Sequence, residues 1–139
     1  MNPDIWGPHA WFFLHSITIN YPDNPSPEVK DAMKKLINSL VLLLPCAHCQ
    51  ENYTQHLIKY PLTEEILSSR KLLFRWMIDI HNEVNKIHGK KIYSYDEAMK
   101  SIKKSYYGET DNQYIKIGLF IVFIIIVFVG INYLRKHNQ

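Results

Sequence analysis

From Ile117 to Leu134 the chain runs for 18 residues without a charge, most of them Ile, Val, Phe and Leu. No polar stripe interrupts the run, so it does not read as one side of a surface helix. Wound as an α-helix at about 1.5 Å per residue it is about 27 Å long, close to the roughly 30 Å hydrocarbon core of a bilayer. Lys116 flanks one end, and Tyr133, Arg135 and Lys136 mark the other, all residue types that settle at membrane interfaces. The run therefore divides the 139 residues into a small domain over 1–107, a polar linker over 108–114, a transmembrane helix over 115–134 and a tail over 135–139.

Charge follows the same division. Residues 1–114 carry 13 Lys and Arg against 13 Asp and Glu, so the net +3 of the chain arises after them. A neutral domain offers no electrostatic footprint for nucleic acid. Met1-Asn2-Pro3-Asp4 has no basic stretch leading into an apolar one, so no signal peptide is expected. An anchor followed by only five residues leaves the ribosome after synthesis ends, which places the domain on the cytosolic side as a single-pass membrane protein. Lys100, Lys103, Lys104 and Lys116 on the domain side agree with that orientation.

The domain reads as all helical, with no alternating β-branched run and no Asn-Gly hairpin. A first helix is predicted over Pro8–Asn20, stopped by Pro22. Ser26 caps a second, with Pro27 at its first position and an apolar stripe from Val29 through Met33, Leu36, Ile37 and Leu40 to Leu44. Pro45 ends it and opens a third, on which Cys46, Cys49, Tyr53 and His56 share a face. A fourth starts near Ser69, buries Leu73, Trp76, Ile80, Val84 and Ile87, and stops at Gly89. Ser94-Tyr95-Asp96-Glu97 is a capping box for a fifth. Amphipathic helices joined by short loops predict a four-helix bundle plus a short fifth helix.

The chain has two cysteines, three apart in Cys46-Ala47-His48-Cys49. A bond between them closes almost no loop, so it adds little stability through chain entropy. Near a helix start, free N–H groups and the helix dipole favour a thiolate, and the pair can take electrons from another dithiol by exchange. A thioredoxin reading requires strands around the motif, and none is predicted. A zinc site built from Cys46, Cys49, His81 and His88 fits no common ligand spacing, so no metal is expected.

Two further motif segments flank this pair in order. Gly7-Pro8-His9-Ala10-Trp11-Phe12-Phe13-Leu14-His15 leads to Tyr21-Pro22, then comes Leu44-Pro45-Cys46-Ala47-His48-Cys49, and Trp76 through His81-Asn82-Glu83-Val84-Asn85 leads to Gly89-Lys90. The set resembles the Erv/ALR family of FAD-linked sulfhydryl oxidases over roughly residues 6–107. The resemblance implies the bundle already predicted, holding FAD, with protein thiols oxidised and electrons passed to O2 to give H2O2. It implies that Cys46 is the outer, substrate-facing cysteine and that Cys49 lies against the flavin. Trp11, His15 and Tyr21 match positions that line the cofactor. His81, Asn82 and Asn85 match those that hold its ring portions, and Lys86 and Lys90 match basic positions near ribose and phosphates. These types suit the task, since aromatic faces stack on flat rings, amides fix ring edges and lysine offsets a diphosphate.

The sequence departs from the family where Pro8 replaces an Arg found in many members and where Ile78 replaces a Cys. No additional cysteine pair serves as a shuttle, which implies a small dithiol or thioredoxin-like protein as carrier. A minimal two-cysteine form with an anchor is similar to versions encoded by large cytoplasmic DNA viruses, which implies a virion or an intracellular membrane of virus or host. A homodimer, common in the family, has no cysteine in this chain to mark its interface. The other class of function open to these residues is a non-catalytic, tail-anchored helical adaptor that needs no flavin.

Overall fold

The computed structural model describes residues 1–108 and 113–137. It contains α1 (Pro3–Asn20), α2 (Pro27–Leu43), α3 (Ala47–Lys59), a 3-10 turn over Ile66–Ser68, α4 (Arg70–Ile87), α5 (Tyr95–Tyr107) and α6 (Gln113–His137). No strand occurs among the described residues. The expected architecture is present, with α1–α4 forming the bundle and α5 added to it. The chain separates into two compact units, Met1–Ile102 and Lys103–Gln139.

The caps explain the boundaries. The Ser26 and Ser69 hydroxyls accept from the N–H groups of Val29 and Leu72, each at 3.4 Å. Ser94 and Glu97 form the reciprocal box, with Glu97 N donating to Ser94 Oγ at 3.3 Å and Ser94 N to Glu97 Oε2 at 2.9 Å. Gly89 at φ 61° and Gly108 at φ 73° take the left-handed conformation that ends a helix and strains residues with a Cβ. One boundary differs from expectation. Helix α1 starts at Pro3, five residues before Pro8, because the Asn2 side chain accepts from Asp4 N at 2.9 Å and Pro3 takes the first helical position. Pro8 then lies inside the helix and costs it one backbone bond. Helix α3 begins at Ala47 with Cys46 as its cap, two residues after Pro45.

The core forms between α1, α2, α3, α4 and the 3-10 turn, where Ile37, Leu67, Leu73 and Ile80 are fully buried. Buried aromatic side chains place their polar tips on loop or helix carbonyls: Tyr21 Oη on Leu67 O at 3.1 Å, Tyr53 Oη on Ile37 O at 3.2 Å and Trp76 Nε1 on Tyr60 O at 2.9 Å. Each bond spares the cost of a buried unpaired donor. Helix α4 buries a second face as well. Phe74 and Ile78 turn away from the main core and pack with Ala98 of α5, alongside Tyr93, Met99 and Ile102.

Within the second unit, the stretch Tyr114–Arg135 of α6 has the length and composition to cross a membrane, and its apolar side chains are exposed. Most of the expected linker, Glu109–Asn112, and the last two residues lie outside the described residues.

Burial ranks the cost of truncations. Ile80→Ala or Ile37→Ala should destabilise the domain by about 2–5 kcal/mol. Ile58→Ala, at a side chain 70% exposed, should change stability by less than about 0.5 kcal/mol. Urea titrations of the three variants check this order.

Candidate functional site

The two cysteines are joined as a disulfide with a Cα–Cα separation of 5.1 Å. Cys46 has extended backbone and its Sγ accepts the N–H of Cys49 at 3.3 Å, so a redox sulfur supplies the helix cap that Ser or Asp usually gives. The preceding loop is held in place. Gln50 Nε2 donates to Leu42 O at 2.9 Å and Leu44 O at 2.7 Å, and Cys46 N donates to Leu44 O at 2.8 Å. Both cysteines are half-buried, while His48 between them is exposed and within 3.2 Å of Asn52 through Nε2.

A cleft of about 260 Å³ lies along α4, just below the range of roughly 300–1,000 Å³ usual for ligand pockets. Helix α4 supplies Ile78, His81, Asn82 and Asn85, and α1 supplies His15. Opposite them stand Lys90, Lys91 and Tyr93 of the α4–α5 loop, then Ala98, Ser101 and Ile102 of α5. Trp11 stacks on His81 with ring centroids 3.9 Å apart and planes 5° from parallel. It also stacks on His15 at 5.9 Å. The result is a short column of flat rings at one side of the cleft.

His15 Nε2 and His81 Nδ1 are 2.8 Å apart and share one proton. Burial pushes His15 down from its ordinary value to about 4. Burial, then the charges of His15 and Lys90, push His81 down to about 3. Both rings are therefore neutral at pH 7. His15 Nδ1 is buried with no hydrogen-bond partner among the described residues. An unpaired buried N–H is rarer in proteins than an unpaired acceptor, which favours the proton on His15 Nε2, donated to His81. His81 then carries its own proton on Nε2.

The amides differ from one another. Asn82 Oδ1 accepts from Tyr93 N at 3.0 Å, and its Nδ2 donates to Tyr93 O at 2.9 Å. Asn85 is buried and its main-chain carbonyl accepts from Lys90 N at 2.8 Å, while its side-chain amide makes no hydrogen bond to another described residue. The structure thus gathers His15, His81, Asn82, Asn85 and Lys90 into one cleft, with Trp11 stacked at its edge. Tyr21 is in the core and borders a shallower groove between α1 and α2. Lys86 is exposed and paired with Glu83 at 2.6 Å. Cys49 does not line the cleft. Glu83 also receives Lys59 at 2.9 Å and the Tyr60 hydroxyl at 3.1 Å. The bonds from Lys86 and Lys59 hold its carboxyl down at about 2. Lys91 and Tyr93 are lining residues beyond those read from the motifs. The doubled lysine after Gly89 was the signal for Lys91, and Tyr93 had none in the sequence.

The neutral histidines make stability depend on pH. Unfolded histidine binds a proton near pH 6.5, whereas His15 and His81 resist it down to about 4 and 3 in the fold. Stability is full above about pH 6.5 and falls as pH drops, by about 1.4 kcal/mol per unit for each histidine kept neutral. Urea midpoints measured between pH 6.5 and 5 should decline, and His15→Gln should flatten the decline. A flat profile in the unsubstituted protein would contradict the neutral pair.

Comparison with known proteins places the chain in a family. A model described as the Erv1 / Alr family matches residues 8–107. A protein of Acanthamoeba polyphaga mimivirus, named a probable FAD-linked sulfhydryl oxidase, is 48% identical over 105 residues, covering 76% of this chain and 73% of that one. A protein of invertebrate iridescent virus 6, named a putative FAD-linked sulfhydryl oxidase, is 33% identical over 104 residues, covering 72% and 94%. The crystal structure of the FAD-binding domain of Erv1 from Saccharomyces cerevisiae superposes with a TM-score of 0.64 at 29% identity, covering 69% of this chain and 89% of that one.

Proposed function

This chain belongs to the Erv1/Alr family of FAD-linked thiol oxidases, and on that footing we propose that it makes protein disulfides by exchange at Cys46–Cys49, with O2 as final acceptor and H2O2 as product. The observation that carries the reading is the half-buried disulfide whose Cys46 sulfur caps α3.

The cleft is suited to FAD. Trp11, His15 and His81 offer stacked ring faces, the Asn85 amide has no partner among the described residues, and Lys90 and Lys91 can offset a diphosphate. We assign those six residues to the cofactor, with Cys49 as the inner cysteine and Cys46 as the outer one. When bound, FAD supplies an acceptor for the two electrons of the reduced pair and a route from there to O2.

The protein's own part is the exchange. A substrate thiolate attacks Cys46 Sγ, forming a mixed disulfide and releasing Cys49 as a thiolate. A second substrate thiolate attacks the substrate sulfur of that bond and expels Cys46. The substrate leaves as a disulfide, and the cysteine pair holds two electrons. The Cys49 N–H at 3.3 Å and the dipole of α3 stabilise the departing Cys46 thiolate. With no third cysteine in the chain to relay electrons, the proposed substrate is a small flexible dithiol or a thioredoxin-like carrier. The exposed His48 flanks the point of attack.

Helix α6 is proposed to anchor the protein as a single span with the oxidase domain in the cytosol. A glycosylation acceptor placed after Gln139 should be modified in microsomes, and one placed within 108–112 should not. Modification of the inner site instead would reverse the orientation.

The full chain, purified in detergent, should be yellow and consume O2 when given a dithiol. Cys46→Ser and Cys49→Ser should each abolish that uptake and keep the colour. A folded, helical, colourless protein that cannot be loaded with FAD would overturn the oxidase reading.

A further inference from the structure

The loop between α4 and α5 carries the cationic side of the cleft, and among the described residues its backbone is hydrogen-bonded to α4 at two places. The first is the helix end, where Lys90 N donates to Asn85 O at 2.8 Å after Gly89 has turned the chain at φ 61°. The second is the Asn82 side chain. It accepts from Tyr93 N at 3.0 Å and donates to Tyr93 O at 2.9 Å, so one amide binds both polar groups of one residue. Asn82 and Asn85 are three apart and lie on the same side of α4. Between the two pins lie only Lys91 and Ile92, both exposed.

The second pin sets more than a backbone. The Tyr93 ring packs with the cluster of Phe74, Ile78 and Ala98. Lys91 Nζ stands 4.9 Å from the centre of that ring and pairs with Glu97 at 2.8 Å. A line of contacts thus runs from Asn82 to the Tyr93 backbone, to its ring and to the Lys91 ammonium. We infer that Asn82 is a positioning residue that acts through Tyr93, holding Lys91 preformed against the cleft for an anionic portion of the ligand. With Lys91 placed in advance, binding does not have to order the loop, and that saving appears as affinity. Helix α5 keeps its own apolar contacts with α4 through Ala98, so loss of the Asn82 bonds frees the loop without detaching the helix.

The inference rests on FAD as the ligand for its affinity arm, but not for its structural arm. Hydrogen exchange on the unsubstituted full chain in detergent should show the Tyr93 amide protected, while those of Lys91 and Ile92 exchange fast. Equal, fast exchange at all three overturns the clamp whether or not FAD binds. In Asn82→Ala, Tyr93 should lose its protection while Leu73 and Ile80 keep theirs, and FAD should bind about tenfold more weakly, a loss that corresponds to about 1.4 kcal/mol. The cycle with Lys91 decides the route. Lys91→Ala should weaken FAD binding several-fold in the unsubstituted protein and have little further effect in Asn82→Ala. Fully additive losses would mean that Asn82 does not act through Lys91, and unchanged FAD affinity in Asn82→Ala would overturn the inference outright. Should Asn82→Ala fail to fold, Asn82→Ser, whose side chain is one bond shorter than the amide atoms that reach Tyr93, carries the same comparisons. A chain that takes up no FAD at all defeats the oxidase reading instead and leaves the exchange result to judge the clamp.

Discussion

Helix α4 has to bury two faces at once, and the arrangement of the rest follows from that demand. One face brings Leu73, Trp76, Met77 and Ile80 into the bundle, and another brings Phe74 and Ile78 against α5. At roughly 1.5–3 kcal/mol for each large apolar side chain removed from water, neither face could be left uncovered in so small a domain. Towards the C-terminal end of α4 the second face gives way to His81, Asn82 and Asn85, which line the cleft together with Ile78 and Ala98. The cleft thus continues the α4–α5 packing, and its position is set by where apolar residues give way to polar ones on one helix.

The same burial sets the electrostatics. His15 and His81 lie where charge is costly, so they remain neutral and share a hydrogen bond, with the face of Trp11 parallel to His81. Lys90 and Lys91 lie exposed at the solvent edge of the same cleft. Apolar ring faces on the inside and cations at the rim make a gradient of polarity across one small cavity. An extended ligand with a flat end and an anionic end matches it.

Much of this was legible in the sequence because caps and breakers act locally. Ser26-Pro27, Ser69 and the Ser94–Glu97 box gave helix starts, and Gly89 gave a stop. The error at the start of α1 came from taking Pro8 as the first signal, although Asn2-Pro3-Asp4 carries an equally good cap. The second buried face of α4 was not read, since periodicity shows a stripe but not a helix covered from two sides. Phe74 and Ile78 fell outside the expected stripe for that reason. The individual bonds of the site residues depend on tertiary partners. The Tyr21 hydroxyl on Leu67 O, the His15 pair with His81 and the Asn82 grip on Tyr93 span distances in sequence that no local pattern encodes.

Cys46 is the residue at which fold and chemistry make separate demands. As a helix cap, sulfur is a long and weak acceptor, and serine in its place would hold the Cys49 N–H better. The Cys46–Cys49 bond closes so short a loop that it adds little through chain entropy, so neither the cap nor the bond gives folding a strong reason to keep cysteine there. A population of such chains selected only for stability would therefore drift away from cysteine at position 46. Its presence there is a cost to the fold that is offset only while the sulfur is in use, so the helix start records a functional demand that packing would not have imposed.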